Sequence, residues 1–327
     1  MHQPTSPLHQ VLTKHHDNPI LIPNPHNVWE NAQVFNPGVI LLNNTFYMLY
    51  RAIGNDGISR LGYAQSSDGI HFQRTSQLPA FEHHIVTHQT SLYSYASGGS
   101  LGGCEDPRLV HMIDEKKIYM TYTACDGGLR VGLTAIDQED FVKKNWNWQQ
   151  PRLISPAGQI HKNWLLFPEK INGTYAILHS IKPSVQIAYL NRLDGKTFPK
   201  IQSAYYGAPR KNCWDIWIRG AGAPPLKTQD GWLVFYHAMD NNWGQYKIGA
   251  MLLDLENPTI VLHRSKTPLI IPDQPYENTG FKPGVVYLTG AVIKDETLFV
   301  YYGCSDNYIG VATAPYSQFL ATLKQLA

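Results

Sequence analysis

Two adjacent acids, Glu105 and Asp106, lie in the segment GGCEDPR that begins at Gly102. A carboxylic acid at a partly buried position can donate a proton to a leaving group, because burial raises its pKa. The glycines would allow a ligand to approach the backbone closely. Acids in a loop more often cap turns or pair with a cation such as Arg108. The position of Glu105 and Asp106 in the fold therefore decides between a structural and a catalytic role. The segment predicts a general acid at Asp106, with a raised pKa, provided that it opens onto a cleft.

Basic residues at related positions form the second chemical signal. Arg51 and His237 end equivalent strands of a repeated pattern that is described below. Other basic residues lie near strand entries or turns, namely Arg60, Arg130, Lys162 and Arg219. Surface solvation explains any single one of them. As a group on a nearly neutral protein they indicate an anionic ligand such as phosphate.

Aromatic side chains near the same positions could stack on sugar rings, although most aromatics in a sheet protein fill space between strands. The candidates are Trp164, Phe167, Trp214, Trp217, Tyr287 and Tyr308. We expect only one or two of them to contact a ligand, and Tyr287 is taken as a substrate-binding residue.

Other catalytic signatures do not occur in the sequence. The glycine-rich stretches 54–57 and 98–103 match neither a phosphate-binding loop nor a dinucleotide fingerprint, and GxSxG, HExxH and EF-hand patterns are missing. The four cysteines have no zinc spacing and are expected to be reduced thiols. The histidine pairs at 15–16 and 83–84 lack obvious carboxylate partners. The sequence therefore predicts neither a metal nor an organic cofactor.

Composition excludes several classes of partner. The 327 residues carry a net charge of +2 with no run of five like charges, so a nucleic-acid or anionic-membrane surface is not expected. Hydrophobic residues make up 43% of the chain, which is enough to bury a sizeable core. No apolar segment has the length of a signal peptide or a membrane span. We expect a cytoplasmic protein, and the sequence leaves homo-oligomerisation open.

A hairpin pattern repeats five times and must position these residues. In each copy a short strand rich in aromatic and branched residues follows a turn, and a further strand is predicted on either side. The short strands of the five copies lie at 46–51, 118–123, 175–180, 232–237 and 298–303. Helical periodicity is weak except at residues 317–326. The pattern predicts an all-β, five-bladed β-propeller rather than a β-sandwich, which does not require five equivalent hairpins. We predict one domain, 1–327, with blades at roughly 30–100, 101–160, 161–215, 216–275 and 276–327.

In a propeller, the innermost strands of all blades begin near the same mouth of a central channel. The predicted entries are the segments 36–38, 105–108, 167–169, 223–225 and 288–290, and four of them contain proline. Proline suits the first residue of a strand, so part of this recurrence is structural. Only the second entry places acids ahead of its proline. That asymmetry favours Asp106 as the catalytic residue.

The chain resembles glycoside hydrolase family 130, the β-mannoside phosphorylases and mannosidases. The resemblance runs from Asn36 to Ala314 and rests on an ordered series of segments, including NPG at 36–38, LYRA at 49–52, SRLGYA at 59–64, EDPR at 105–108, LFPEKING at 166–173 and the regions 232–240, 281–286 and 301–306. The family fold is a five-bladed propeller. This agrees with the number of repeats.

The resemblance implies the residue roles. Asp106 would be the single proton donor of an inverting reaction that acts through a hydroxyl of the mannose ring, and inorganic phosphate would be the co-substrate. Phosphate-binding residues of the family fall on Arg130, Lys162 and His237, with Arg219 as an additional candidate. The expected contacts with the β-mannoside are Asn36, Arg51, Arg60, Glu105, Tyr287 and Asp306. The products would be α-mannose 1-phosphate, which is useful inside a cell, and a shortened acceptor.

One departure from the family keeps an alternative open. Family phosphorylases often carry a lysine where this chain has Ile218, so Arg219 substitutes for it or the phosphate site is incomplete. An inverting β-mannosidase would need a second carboxylate to activate water. Candidate bases are Glu169, Asp215 and Glu277. A non-catalytic sugar-binding propeller is a third interpretation. The linkage and the acceptor sugar are expected to depend on loops 81–98 and 204–213, which lie outside the repeated pattern.

Overall fold

The computed structural model describes residues 11–84, 98–125, 128–194, 198, 201–203, 209–241 and 244–325. Within these ranges the chain is mostly β, with twenty strands and two α-helices. Helix α1 spans Gln138–Lys143 and helix α2 spans Tyr316–Gln325. Helix α2 confirms the helical periodicity near the end of the chain. None of the described helices is long and apolar enough to cross a membrane.

The first half of the chain forms two antiparallel units within one sheet. The strands of the first unit are β2 (Gln33–Leu42), β3 (Thr45–Ile53), β4 (Ile58–Ser66) and β5 (Gln73–Arg74). Those of the second are β6 (Gly102–Met112), β7 (Lys117–Cys125), β8 (Leu129–Asp137) and β9 (Arg152–Leu153). A short parallel pairing between β4 and β6 joins the two units.

Three further sheets follow. The third unit contains β10 (Leu165–Leu166), β11 (Tyr175–Ser180) and β12 (Gln186–Leu190). The fourth contains β13 (Trp217–Ala221), β14 (Leu226–Thr228), β15 (Gly231–Met239), β16 (Lys247–Leu253) and β17 (Val261–Arg264). The fifth contains β18 (Val286–Lys294), β19 (Thr297–Cys304), β20 (Tyr308–Pro315) and, paired with β20, the early strand β1 (Thr13–Lys14). The repeated strands of the sequence pattern are β3, β7, β11, β15 and β19.

Buried apolar clusters fill the spaces between successive units. Leu49 of the first unit packs in one cluster with Met120 of the second. The next three clusters join the second unit to the third, the third to the fourth and the fourth to the fifth. A further cluster joins the fifth unit back to the first, with Tyr301 beside Met48. Each unit therefore buries side chains against the unit before it and the unit after it.

The first strand of four units carries a β-bulge. The register of the ladder shifts between Phe35 and Gly38 in β2, Glu105 and Arg108 in β6, Ile218 and Gly220 in β13, and Leu288 and Gly290 in β18. A bulge releases one or two residues from the ladder and tolerates proline there. The released residues are Asn36, Pro37, Asp106, Pro107, Arg219 and Thr289.

The bulged strands approach one another through their backbones. A Cβ atom added to Gly38 would lie 2.6 Å from the Pro107 carbonyl oxygen, and one added to Gly290 would lie 2.8 Å from that of Pro37. A Cβ atom added to Gly222 would lie 2.7 Å from the Leu288 oxygen. Glycine is required where backbones pack this closely. The released side chains are therefore brought to one place.

Two predicted strand entries were wrong. In the third unit the strand next to the site is β10, which ends before the predicted entry at 167–169. In the fourth it is β13, which ends before the predicted entry at 223–225. These units consequently contribute Lys162 and Asn163, which precede β10, and Arg219 of β13, together with Tyr246. A two-residue strand such as β10 has no periodicity that a sequence pattern could show.

Candidate active site

A pocket opens where the bulged strands meet, and all five units contribute to it. We call it the acid pocket. Its lining residues are Asn36, Arg51, Gly98, Asp106, Lys162, Asn163, Arg219, Tyr246, Lys282, Val285, Tyr287 and Asp306. The lining carries four cations and two carboxylates, so the described pocket has a positive formal charge. The pocket is therefore suited to a polar ligand that carries negative charge.

Asp106 lies in the bulge of β6 with a left-handed backbone (φ 51°) and is 3% exposed. Its Oδ1 accepts a hydrogen bond of 2.8 Å from Asn36 Nδ2 and lies 3.3 Å from Arg51 Nη1. Left-handed geometry is uncommon for a residue other than glycine, although aspartate and asparagine tolerate it best. The bulge thus aims this carboxylate into the pocket at a cost in backbone strain.

The expected rise in the pKa of Asp106 was wrong for the unliganded protein. Burial raises the pKa of this carboxyl, but Arg51, Arg108 and Lys162 together outweigh the effect of burial and hold the pKa below its usual value. The hydrogen bond from Asn36 acts in the same direction. The surrounding cations therefore favour the ionised form of Asp106, and neutralising part of that positive charge would favour its protonation.

Asn36 occupies the bulge of β2, also with a left-handed backbone (φ 46°). Its donor end faces the Asp106 carboxylate, so its Oδ1 points the other way, and this buried oxygen has no hydrogen-bond partner among the described residues. A Cβ atom on Gly303 would lie 2.0 Å from the same oxygen. Glycine at 303 therefore makes room for the side chain of Asn36.

Glu105 lies beneath the pocket and holds two of its cations. It is fully buried, with Oε1 3.1 Å from Arg51 Nη2 and Oε2 2.8 Å from Lys162 Nζ. Ser100 donates a further hydrogen bond to Oε1 over 2.9 Å. Burial raises the pKa of Glu105, but the two cations outweigh burial and lower it. The predicted substrate contact of Glu105 is untested, and its position shows that it fixes Arg51 and Lys162.

Asp306 and Lys282 form the opposite wall of the pocket. Asp306 is buried with a left-handed backbone (φ 50°), and burial raises its pKa despite the opposing effects of Lys282 and Arg51. Lys282 lies over the Tyr246 ring at 5.4 Å, and the guanidinium of Arg219 lies 5.5 Å from the same ring. The Tyr246 ring therefore contacts both cations at the pocket wall.

Tyr287 lines the pocket, and His237 lies behind it. The two rings stack with centroids 3.7 Å apart, and the Tyr287 hydroxyl donates to Asn163 Oδ1 over 2.8 Å. His237 is fully buried, with its Nε2 2.7 Å from the Leu288 carbonyl oxygen, so Nε2 carries the proton. Burial, aided by Arg108, lowers the pKa of His237 to about 3. His237 is therefore uncharged and supports Tyr287, and its predicted contact with phosphate remains a prediction.

Two predicted cations lie away from the acid pocket. The Nε of Arg130 donates to the Ser155 carbonyl oxygen over 3.2 Å. Arg60 pairs with Asp56 and Glu82, each at 2.7 Å. The predicted roles of both arginines in binding ligand stay untested.

The three candidate bases for hydrolysis also lie outside the acid pocket. Glu169 pairs with Lys227 at an exposed position, and Asp215 is buried against Arg210 and Arg264. Glu277 is buried beside Lys14 at 2.6 Å. Each of these three carboxylates therefore forms an ion pair with a lysine or arginine side chain outside the acid pocket.

The expectation that His15 and His16 lack a carboxylate partner was wrong. His16 Nε2 lies 3.3 Å from Asp17 Oδ1, and His15 Nδ1 lies 3.7 Å from Asp17 Oδ2. This group is at the surface, away from the lining of the acid pocket. All four cysteines have free thiols, as expected from their spacing.

A second cavity adjoins the acid pocket and shares Lys162, Asn163 and Arg219 with it. We call it the cation lobe. Its lining residues are His161, Lys162, Asn163, Trp164, Leu178, His179, Ser180, Ile181, Lys182, Ser203, Arg219, Gly220 and Ala221. None of these residues is a carboxylate. The two carboxylates of the site are therefore confined to the acid pocket, within the part of the chain that the structure describes.

Sequence reasoning did not assign Asn163, Lys182, Tyr246 or Lys282 to the site. Lys282 belongs to the segment 281–286, which carries the family resemblance, and Asn163 follows the predicted phosphate ligand Lys162, and those were the available signals. Lys182 and Tyr246 follow or precede strands, where polar residues are ordinary. Linkage was expected to depend on loops 81–98 and 204–213, of which residues 85–97 and 204–208 lie outside the described residues.

Fold and site together define a β-sheet protein with a buried carboxylate facing a cation-rich pocket. The sequence model of the family described as beta-1,4-mannooligosaccharide phosphorylase matches residues 2–325. The chain therefore belongs to this family, glycoside hydrolase family 130, which confirms the resemblance seen in the sequence.

Individual relatives agree with this assignment. A 1,2-beta-oligomannan phosphorylase of Thermoanaerobacter sp. (strain X514) is 38% identical over 313 residues, which cover 90% of this chain and 94% of the relative. A beta-1,2-mannobiose phosphorylase of the same strain is 34% identical over 316 residues, which cover 92% and 96%. The solved beta-1,2-mannobiose phosphorylase from Listeria innocua shares the fold, with a TM-score of 0.73, 24% identity and coverage of 96% of this chain and 99% of that one.

Proposed function

We propose that this protein is an inverting phosphorylase of β-linked mannosides that produces α-mannose 1-phosphate and a shortened acceptor. The observation that carries the proposal is the acid pocket itself, where Asp106 faces Arg51, Lys162, Arg219 and Lys282. A phosphorolytic enzyme needs one carboxylic acid and a cationic site for a nucleophile that arrives already charged. The named activities of the relatives described above support the same reaction.

The proposed reaction forms one bond to the mannosyl C1 and breaks another. A phosphate oxygen attacks C1 from the face opposite the leaving oxygen, and the C1–O bond to the acceptor breaks with inversion from β to α. Asp106 supplies the proton that the leaving oxygen takes up, relayed through a hydroxyl of the mannose ring. Asn36 and Asp306 would hold the mannosyl unit, because both present oxygen atoms to the pocket.

Phosphate also accounts for the protonation of Asp106. The pocket cations lower the pKa of this carboxyl in the unliganded protein, so the acid needs a ligand that offsets them. A phosphate dianion beside Lys162 and Arg219 would do so and would raise the pKa of Asp106. Binding of the nucleophile would thereby prepare the proton donor.

Hydrolysis is the competing reaction. An inverting hydrolase requires a base that activates water, roughly 6.5–9.5 Å from the acid. Glu169, Asp215 and Glu277 are each paired with a cation outside the acid pocket, so Asp306 would have to take that role. Phosphorolysis is favoured because it needs only Asp106 and the pocket cations, and none of the three candidate bases lines the described acid pocket.

We further propose that the substrate linkage is β-1,2. The two Thermoanaerobacter relatives are named for β-1,2-linked mannosides, whereas the family model is described by β-1,4-linked ones. A linkage panel of β-1,2-, β-1,3- and β-1,4-mannobiose distinguishes the two. We expect the β-1,2 isomer to be turned over fastest.

The architecture that we propose is a five-bladed β-propeller comprising one domain. Its support is the cyclic order of the apolar clusters, in which the fifth unit packs against the first, and the pairing of β1 with β20. Bulged strands at the centre would then surround the channel into which Asp106 points. A cytoplasmic location fits this activity, since a sugar phosphate is useful inside the cell.

Phosphate dependence tests the function directly. The purified protein is incubated with β-1,2-mannobiose with and without inorganic phosphate, and products are followed by ³¹P and ¹H NMR. We expect α-mannose 1-phosphate only with phosphate, and a loss of about 10²–10⁴-fold in rate for Asp106→Asn. Asp56→Asn, at the exposed partner of Arg60, is the matched control. Mannose release that ignores phosphate would show a hydrolase, and binding without turnover on any linkage would show a sugar-binding protein.

A further inference from the structure

The cation lobe differs in charge from the acid pocket beside it. Lys162 and Arg219 line both cavities, but Asp106 and Asp306 line only the acid pocket. Lys182 lines only the cation lobe and adds a third positive charge there. The described lining of the cation lobe contains no carboxylate, so its electrostatic potential favours an anion more strongly than that of the acid pocket.

Lys182 lies at the backbone of position 218. Its Nζ donates a hydrogen bond of 3.0 Å to the Ile218 carbonyl oxygen, reaching across from the third unit to strand β13. The Ile218 side chain is only 6% exposed and packs in the apolar cluster between the third and fourth units. Position 218 itself supplies no cation here, and Lys182 of another segment brings one to its backbone.

The surroundings of Lys182 suit an anion. Burial lowers the pKa of its ammonium group to about 8, and the neighbouring Arg219 acts in the same direction. A bound anion between the two cations would relieve their mutual repulsion and stabilise both charges. Asn163 lines the same cavity, and its Nδ2 lies 3.4 Å from the Arg219 carbonyl oxygen.

We infer that Lys182 is a phosphate-binding residue that acts with Lys162 and Arg219, so that the cation lobe holds the nucleophilic phosphate beside the acid pocket. The inference rests on the proposed phosphorylase function. It assigns to Lys182 the charge that Ile218 does not supply. The acid pocket would then be left to the mannoside.

The test separates the two substrates kinetically. Phosphorolysis of β-1,2-mannobiose is measured for wild type, Lys182→Met, Lys182→Gln and Lys182→Arg, varying each substrate while the other is saturating. We expect both neutral variants to raise the KM for phosphate about 10- to 100-fold, with the KM for mannobiose changed less than about twofold. Lys182→Arg keeps the charge and should recover most of the phosphate affinity.

Lys227→Met is the matched control, because this lysine pairs with Glu169 at an exposed position away from both cavities. Calorimetric titration with inorganic phosphate alone, and the Tm of each variant, separate binding from folding. A phosphate KM that stays within twofold of wild type in folded Lys182→Met or Lys182→Gln overturns the inference. An equal rise in both KM values does so too, since it indicates a structural role. A wild-type enzyme that ignores phosphate overturns the proposed function instead.

Discussion

The side-chain amide of Asn36 donates a hydrogen bond to the Asp106 carboxylate over 2.8 Å, and both residues stand in β-bulges with left-handed backbones. The two bulges belong to adjacent units whose first strands touch through Gly38 and the Pro107 carbonyl group. The position and orientation of the acid are thus set by the packing of two units against each other. Changes at neighbouring backbone positions should therefore act on catalysis.

Gly303→Ala should impair activity without touching a charged group. The new Cβ would meet Asn36 Oδ1 at 2.0 Å and displace the amide from Asp106. We expect kcat/KM to fall roughly 10- to 100-fold, close to the effect of Asn36→Ala. In a double-mutant cycle the two changes should be strongly non-additive, because both remove the same contact. Additive effects would show that Gly303 acts elsewhere.

Glu105→Gln should reduce both stability and activity. The substitution removes the buried negative charge that faces Arg51 and Lys162, which leaves two buried cations poorly compensated. We expect the free energy of unfolding in urea to drop by about 3–5 kcal/mol, with a fall in kcat/KM of at least roughly 10²-fold. Glu82→Gln, at an exposed partner of Arg60, is the comparison and should change stability by about 0.5 kcal/mol or less. Equal effects of the two variants would contradict this account of Glu105.

Lys162→Met should move the pH profile of the reaction upward. Lys162 is one of three cations that lower the pKa of Asp106, so its removal raises that pKa. An acid that must be protonated loses activity as pH rises through its pKa, so the basic limb of kcat/KM should shift to higher pH, by about 1 unit. Phosphate titrates in the same range, so wild type and variant are compared at equal phosphate concentration. A shift to lower pH, or the same shift in Lys227→Met, would count against Asp106 as the acid.

His237 should make the protein sensitive to acid. Its pKa lies near 3 in the folded protein, below the ordinary value of 6.5, so the unfolded chain binds its proton first as the pH falls. The contribution of uncharged His237 to the free energy of unfolding is complete above about pH 6.5. It should decline by roughly 2 kcal/mol by pH 5. His237→Gln, which keeps a donor for the Leu288 carbonyl group, should lose this part of the pH dependence in urea unfolding between pH 7 and pH 5. If the free energy of unfolding of His237→Gln depends on pH as steeply as that of the wild type, groups other than His237 cause the acid sensitivity.

The sequence predicted the strands well because each repeated strand carries its own aromatic and branched residues, and it located Asn36, Arg51 and Asp106 at one pocket through their turns. The third and fourth units were placed less well. Their first strands, β10 and β13, are short, and the proline-containing segments after them gave a false entry position.

Charge effects within the site could not be derived from the sequence. The pKa of Asp106 depends on how many cations converge on it, and burial alone predicts the wrong direction. Lys282 lines the acid pocket and Lys182 the cation lobe only because separate units meet there. Nothing in the local sequence of Lys182 distinguishes it from a solvated surface residue, and for Lys282 the only signal was the family resemblance of the segment 281–286.

Strand β1 comes from the start of the described chain and completes the sheet formed by β18, β19 and β20. Its pairing of Thr13 with Thr313 joins segments about three hundred residues apart, so this sheet cannot be finished until nearly the whole polypeptide has left the ribosome. Before that, β1 has no partner strand, because β20 is among the last segments to be made, and β1 is open to other strands. The wait of β1 for its partner would thus be the period in which this segment is exposed to aggregation.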